Sequence, residues 1–141
     1  MIVLLVRHAR AGDRAKWVGD DRHRPLDKKG RRHADGLHAL LAEYPVERIL
    51  SSPAVRCTQT VVPLAAERGL DVEEVMELAE GSSDGDVLRL LGSIESRCVV
   101  LSTHGDVIEE LVGEELKKGS TEVLELKDRQ LSRVRHLGRP A

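Results

Sequence analysis

Ile2-Val3-Leu4-Leu5-Val6-Arg7-His8-Ala9-Arg10-Ala11-Gly12 changes character in a single step, from an unbroken apolar run to a side-by-side arginine and histidine. Residues 2–6 are short, continuous and rich in β-branched side chains, the pattern of a strand buried on both faces. A strand of that kind predicts an α/β protein. The abrupt charge at its end predicts that the strand places Arg7 and His8 rigidly at a site.

The rest of the chain carries the alternation onward. Residues 27–44 have a helical apolar stripe of Ala34, Leu37, Leu41 and Tyr44, with Asp27 as N-cap. "RILSS" (48–52) predicts a short strand. Ser52-Pro53 reads as N-cap and first helical residue of a helix running to about Arg68. "VEEV" (72–75) is a weak strand. Asp84 reads as the N-cap of a helix with Val87, Leu91 and Ile94 inward. "CVVLS" (98–102) is a second buried strand. Asp106 and Glu109 suggest a capping box for a helix over 107–112. Residues 121–126 and 131–137 alternate as a hairpin around "KDRQ". Strands alternating with helices imply a three-layer α/β/α sandwich with a mostly parallel central sheet. The 141 residues are expected to form one domain spanning 1–141.

Composition narrows the function classes. Trp17 and Tyr44 are the only aromatic residues, so an aromatic platform for single-stranded nucleic acid is not expected. The formal net charge is −2, yet residues 7–32 hold ten Lys/Arg against four Asp/Glu. That imbalance predicts a local anion site and no nucleic-acid surface. Cys57 and Cys98 have no metal-ligand spacing and read as free thiols. No apolar run reaches the length of a membrane span, so a cytoplasmic chain with no membrane partner is expected.

Ligands in open α/β sheets bind beyond the carboxyl ends of the strands. There the sequence places Arg7-His8, Ser51-Ser52 followed by Arg56, and Thr103-His104-Gly105. Arginine forks match tetrahedral oxyanions, and helix N-termini add unpaired N–H donors. A neutral histidine is a nucleophile near pH 7 when its other ring nitrogen is held by a fixed acceptor. The combination suits phosphoryl transfer through a phosphohistidine without a metal or other cofactor.

Four motifs in order carry a resemblance. "LLVRHARAG" resembles the signature of the histidine phosphatase superfamily, and its Arg-His-Ala form the short SixA-type phosphohistidine phosphatases. "RPLDKKG" (24–30), "SSPAVRCTQT" (51–60) and "STHGD" (102–106) are similar to further elements of that family. The resemblance implies a phosphoglycerate-mutase-like fold. It implies His8 as the phosphorylated nucleophile, with Arg7, Arg56 and His104 completing the catalytic phosphate pocket. It also implies a proton-donating carboxylate, for which Glu77 stands first and Glu80 behind it. Ser52 and Gly105 belong to the phosphate-binding elements. The stretch 10–30 is also similar to the phosphatase-like domain fused to Nudix domains in actinobacteria. That similarity implies a nucleotide-type substrate, with Trp17 stacking on a base and Arg14, Lys16 and Arg22 binding a polyphosphate; Lys118 of "KKGST" is a further residue within reach. Ala9 stands where the family usually has glycine, and Asp27 where threonine is common.

The expected substrate is a phosphorylated protein, a phosphohistidine above all; the alternative is a small-molecule or nucleotide phosphate ester. Rival classes are a metal hydrolase ligated by His8 and His104, a non-catalytic phosphate-binding domain, and a phosphomutase. The oligomeric state is not readable from the sequence.

Overall fold

The computed structural model describes residues 1–141. Six strands, β1 (Ile2–Arg7), β2 (Arg48–Ser51), β3 (Val72–Glu74), β4 (Cys98–Thr103), β5 (Thr121–Lys127) and β6 (Gln130–Gly138), form one sheet. Their order is β3-β2-β4-β1-β5-β6. The first four are mutually parallel, while β5 is antiparallel to β1 and β6 to β5. Four helices connect them: α1 (Lys28–Leu40), α2 (Val55–Arg68), α3 (Asp84–Gly92) and α4 (Gly105–Val112).

Alternation within each strand explains the layers. Val3, Leu5, Leu50, Val99, Leu101 and Leu124 pack with the apolar faces of α3 and α4. Leu4, Val6, Ile49, Val100 and Val123 pack on the other face with residues of α1 and α2. Val3 to Val6 are fully buried because both faces of β1 are covered, which is why its apolar run is continuous. Each such side chain contributes about 1.5–3 kcal/mol of transfer free energy. The expected three-layer sandwich is the observed architecture.

Register sets the level at which the strands end. Arg7 lies opposite Thr103, and Ser51 opposite Ser102. Consequently Arg7-His8, Ser52 and Thr103-His104 emerge side by side at the carboxyl edge of the sheet. The His8 N–H donates to the Thr103 carbonyl (3.0 Å) and the Ser52 N–H to that of Ser102 (2.9 Å).

Three helix starts differ from the sequence expectation. The N-cap of α2 is Ala54 with no side-chain bond, α3 is capped by Ser83 in a capping box with Asp86, and α4 follows His104 uncapped. Ser52, Asp84 and Asp106 are therefore not the caps. Ser52 and Asp106 are drawn into tertiary hydrogen bonds, with His104 and with the Gly81 N–H. Asp27 does cap α1, accepting from the Gly30 N–H at 2.8 Å. Helix α1 stops at Leu40, short of Tyr44. The hairpin turns at Asp128-Arg129, both with positive φ, as a two-residue turn requires. No helix is long and apolar enough to cross a membrane.

Candidate active site

The motif segments bind one another before they bind anything else. The Ala9 N–H donates to Thr60 Oγ1 (2.9 Å), which itself donates to the Arg56 carbonyl (2.7 Å). The Leu26 N–H donates to Gln59 Oε1 (2.9 Å). Asp27 accepts from the Gly12 N–H (3.2 Å) and pairs with Arg10 (2.9 Å), and its own N–H donates to the Arg10 carbonyl. Gly30 is required here, because a Cβ would lie 1.9 Å from the Arg10 carbonyl oxygen. "RHARAG", "RPLDKKG" and "SSPAVRCTQT" thus form one mutually hydrogen-bonded platform.

His8 and His104 stand on it with ring centroids 5.5 Å apart, both almost fully buried. His8 Nδ1 lies 2.9 Å from the Ala9 carbonyl. A carbonyl only accepts, so Nδ1 carries the proton and Nε2 keeps its lone pair. Burial, helped by the charges of Arg56 and Arg7 and by His104, pushes His8 down to about 3, against the Ala9 hydrogen bond. His104 is lowered to about 4, by burial first and then by Arg56, with Glu80 opposing. Both rings are neutral at pH 7. Arg56 Nη2 approaches His104 Nδ1 at 3.4 Å and can only donate, which leaves Nε2–H to donate to Ser52 Oγ at 2.8 Å. Cys57 packs beneath, its buried thiol pushed up to about 12.

Arg7 donates to the Leu116 carbonyl, and Arg56 Nη1 to that of Asp21 (2.9 Å). Their Nε atoms are buried with no hydrogen-bond partner. Two carboxylates bridge the outer guanidiniums. Glu80 Oε2 lies 2.7 Å from Arg14 Nη2 and 3.4 Å from Arg56 Nη2, and Asp21 Oδ2 lies 3.1 and 3.2 Å from the same atoms. The pocket above has a volume of about 650 Å³ and no hydrophobic residue in its wall; Arg7, His8, Arg14, Arg24, Gly105 and Lys118 line it. Arg56, His104 and Ser52 face an adjoining cavity of about 330 Å³, and Glu80 belongs to both walls.

Most of the expected residues come together: Arg7, His8, Arg56, His104, Ser52, Gly105, Arg14 and Lys118. Three do not. Glu77 lies in a separate surface cavity with Asp86 and Arg89. The 3-10 turn Met76–Leu78 buries Leu78, and Thr103 Oγ1 holds the Leu78 carbonyl (2.7 Å), so the preceding side chain turns away. Glu80, two residues past the turn, is the carboxylate at the site. Lys16 and Trp17 line another cavity with Pro25 and Leu26, and Trp17 Nε1 is spent on the Asp20 carbonyl (3.0 Å). Arg22 pairs with Asp20 at 2.6 Å and lines the adjoining cavity with Arg56 and His104. Ser52 acts on His104 and does not line the main pocket. Gly105 makes room for Arg7, since a Cβ there would lie 2.8 Å from the guanidinium carbon.

Arg24 was not assigned a role from the sequence. It is 6 % exposed, donates to the Ala11 carbonyl at 2.6 Å and pairs with Asp21 at 2.9 Å. Its signal was present, as the first residue of "RPLDKKG". Asp21, in the basic loop, gave none. No group of three or more His, Cys, Asp or Glu side chains is arranged to hold a metal ion.

The placement of the carboxylates makes a direct expectation. Glu80→Gln should lower kcat for an alkyl phosphate by about 10²-fold, the low end of a positioned acid–base group, while Glu77→Gln stays within two-fold of wild type. Steady-state kinetics on both variants check it, and the reverse order would return the role to Glu77.

The profile of the histidine phosphatase superfamily, branch 1, matches residues 3–90. An 8-oxo-(d)GTP phosphatase of Mycolicibacterium smegmatis is 36% identical over 98% of this chain, and the chain spans about half (48%) of that relative's length. A protein histidine phosphatase SixA, solved with tungstate, has a TM-score of 0.78 at 24% identity, with 98% of this chain and 97% of that one covered. The alpha-ribazole phosphatase of Shigella flexneri has the same TM-score at 15% identity, with 98% and 96% covered. The sandwich is thus the phosphoglycerate-mutase-like fold, shared equally by proteins named for different substrates.

Proposed function

The chain belongs to the histidine phosphatase superfamily, branch 1, and from that premise we propose that it hydrolyses phosphate esters or phosphoramidates through a phosphohistidine on His8. The observation that carries the reading is the His8 tautomer: Nδ1–H is held by Ala9, and the Nε2 lone pair is free in a pocket walled by arginines. In the first step Nε2 attacks phosphorus, and the bond to the leaving oxygen or nitrogen breaks. Glu80, in the wall of the same pocket, gives that atom its proton. Arg7 and Arg56 hold the non-bridging oxygens, His104, fixed by Ser52, packs beside Arg56, and the Ala9 carbonyl steadies the resulting imidazolium. In the second step water attacks phosphorus and gives a proton to Glu80, and the N–P bond breaks to release phosphate and neutral His8.

The substrate reading rests on pocket shape. A polar, open cavity with only the short segment 75–83 between β3 and α3 supports a phosphoryl group presented on a larger partner, as on a protein-borne phosphohistidine. A nucleotide-type phosphate is the second reading, favoured by the 36% identical relative named as an 8-oxo-(d)GTP phosphatase. The deciding experiment compares kcat/KM for an aryl phosphate, a phosphohistidine-bearing protein and nucleotides, each with and without EDTA. Turnover is expected to survive chelation, because guanidiniums supply the positive charge. Complete loss with EDTA, restored by zinc or magnesium, would sink the arginine-based mechanism.

A further inference from the structure

Asp21 is an acid set among cations. The Trp17 indole N–H holds the Asp20 carbonyl (3.0 Å), and Asp20 caps the single turn Asp21–His23 by accepting the Arg22 N–H (3.0 Å). That turn brings Asp21 to the first turn of α2, where arginines from three segments meet it. Asp21 Oδ1 accepts from Arg24 Nε (2.9 Å), and Oδ2 lies 3.1 Å from Arg14 Nη2 and 3.2 Å from Arg56 Nη2. The Asp21 carbonyl accepts from Arg56 Nη1 (2.9 Å) and from the Arg24 N–H (3.1 Å). Partial burial pulls the Asp21 carboxyl up, but the Arg24 hydrogen bond and the charges of Arg56, Arg24 and Arg14 outweigh it and hold the group below the usual carboxylate range. It is ionised at pH 7.

Arg56 shows what this convergence does. Its side chain is buried, and Asp21 holds both of its terminal nitrogens, Nη1 through the carbonyl and Nη2 through the carboxylate. Glu80 and His104 touch Nη2 more loosely, each at 3.4 Å. The Nε–H is left buried with no partner. A guanidinium is planar, so fixing two of its nitrogens also fixes the direction of the third. Charge by itself argues against an acid at this place, since a carboxylate repels an incoming phosphate. Three guanidiniums against one carboxylate still leave the cluster attractive to an anion, so orientation is gained without reversing the field.

We infer that Asp21 is a positioning residue for phosphoryl transfer: its carboxylate and its own carbonyl together set the plane of Arg56, and the orientation so gained outweighs the repulsion of a like charge. This rests on the phosphatase reading of the same pocket. The consequence is opposite in sign to that of an ordinary rim carboxylate. Neutralising a bystander acid beside an anion site tightens anion binding, because only repulsion is removed. Neutralising Asp21 weakens it, because Arg56 loses a tether and must be ordered at the expense of binding. Asparagine at this position keeps one acceptor oxygen for Arg24. It then turns an N–H donor toward the Nη2 donors of Arg14 and Arg56, where no hydrogen bond can form.

Isothermal titration of the whole chain with inorganic phosphate reads that sign directly. The Asp21 side chain is 36 % exposed, so the fold accommodates its amide. Asp21→Asn should bind phosphate about ten-fold more weakly than wild type, the size of one charge-assisted hydrogen bond. Asp21→Glu keeps the charge and both acceptors one methylene further out, and should bind more tightly than Asp21→Asn. Glu109→Gln is the charge control: Glu109 lines the same pocket without an ion pair, and neutralising it should leave phosphate affinity unchanged or raise it. Arg56→Met should weaken binding at least as much as Asp21→Asn, and combining the two should cost nothing further, because the aspartate acts through that arginine. Unchanged or tighter binding in Asp21→Asn, weaker binding in Asp21→Glu than in Asp21→Asn, or an undiminished loss on the Arg56→Met background overturns the assignment and leaves the phosphatase reading in place. Affinities in the expected order with no phosphate ester turned over leave the role of Asp21 standing and remove the phosphatase reading.

Discussion

Replacing His8 by alanine or asparagine is expected to abolish turnover of an aryl phosphate, lowering kcat by more than about 10³-fold. Loss of one oxyanion donor typically costs 10²–10³, and loss of the nucleophile removes the covalent route altogether. The geometry gives this residue no substitute. His104, the only other imidazole nearby, has Nε2 engaged by Ser52 and Nδ1 beside Arg56. Rapid-quench labelling with a phosphorylated substrate should place an acid-labile, base-stable phosphoryl group on the peptide containing His8, and label on His104 would reverse the assignment. The pH profile is a second readout. With His8 down at about 3, the ring is already neutral at every pH above that value. The acid limb of kcat/KM should therefore not fall near 6.5, where an ordinary histidine titrates. A limb at 6.5, matched by an NMR titration of the His8 ring at that pH, would show that His8 is far less shielded than its burial implies.

Gly105→Ala should be nearly as damaging as Arg7→Ala, each lowering kcat/KM by about 10²-fold or more, the scale of one lost oxyanion donor. Gly105 opens α4 without a positive φ, so its backbone accepts alanine, and helix propensity favours alanine by about 1 kcal/mol. The new Cβ, however, would sit 2.8 Å from Arg7 Cζ and Nη2 and 2.9 Å from Nε. Arg7 is held on its far side by the Leu116 carbonyl, with Glu115 at 3.6 Å, so the guanidinium must leave its position to relieve the overlap. The expected signature is a fold at least as stable as wild type with most activity gone. Thermal melts and steady-state kinetics on the two variants check it, and wild-type kcat in Gly105→Ala would show that Arg7 is free to move without consequence.

Arg7, His8 and His104 were legible because they stand at the ends of strands marked by continuous apolar runs, and Arg56 because it opens the helix that follows one. Caps and rim residues were less so. Ser52 satisfies every local criterion for an N-cap, yet its hydroxyl goes to His104, a partner 52 residues away that no local pattern names. Asp106 is drawn off to Gly81 in the same way. Glu77 and Glu80 differ by three positions in an acidic loop, and spacing alone put first the one whose side chain lies outside the pocket. Burial of Leu78 set the rotation of that turn.

By itself, then, the sequence determined the layers, the strand ends and the histidine–arginine set, because continuous apolar runs can only be central strands and their ends can only be the sheet's edge. Only the tertiary structure decided which carboxylate meets Arg56, that Trp17 anchors its own loop, and that Arg24 is buried. Those outcomes depend on where loops from distant parts of the chain come to rest. Their side chains find partners through packing and long-range hydrogen bonds, to which local periodicity is blind.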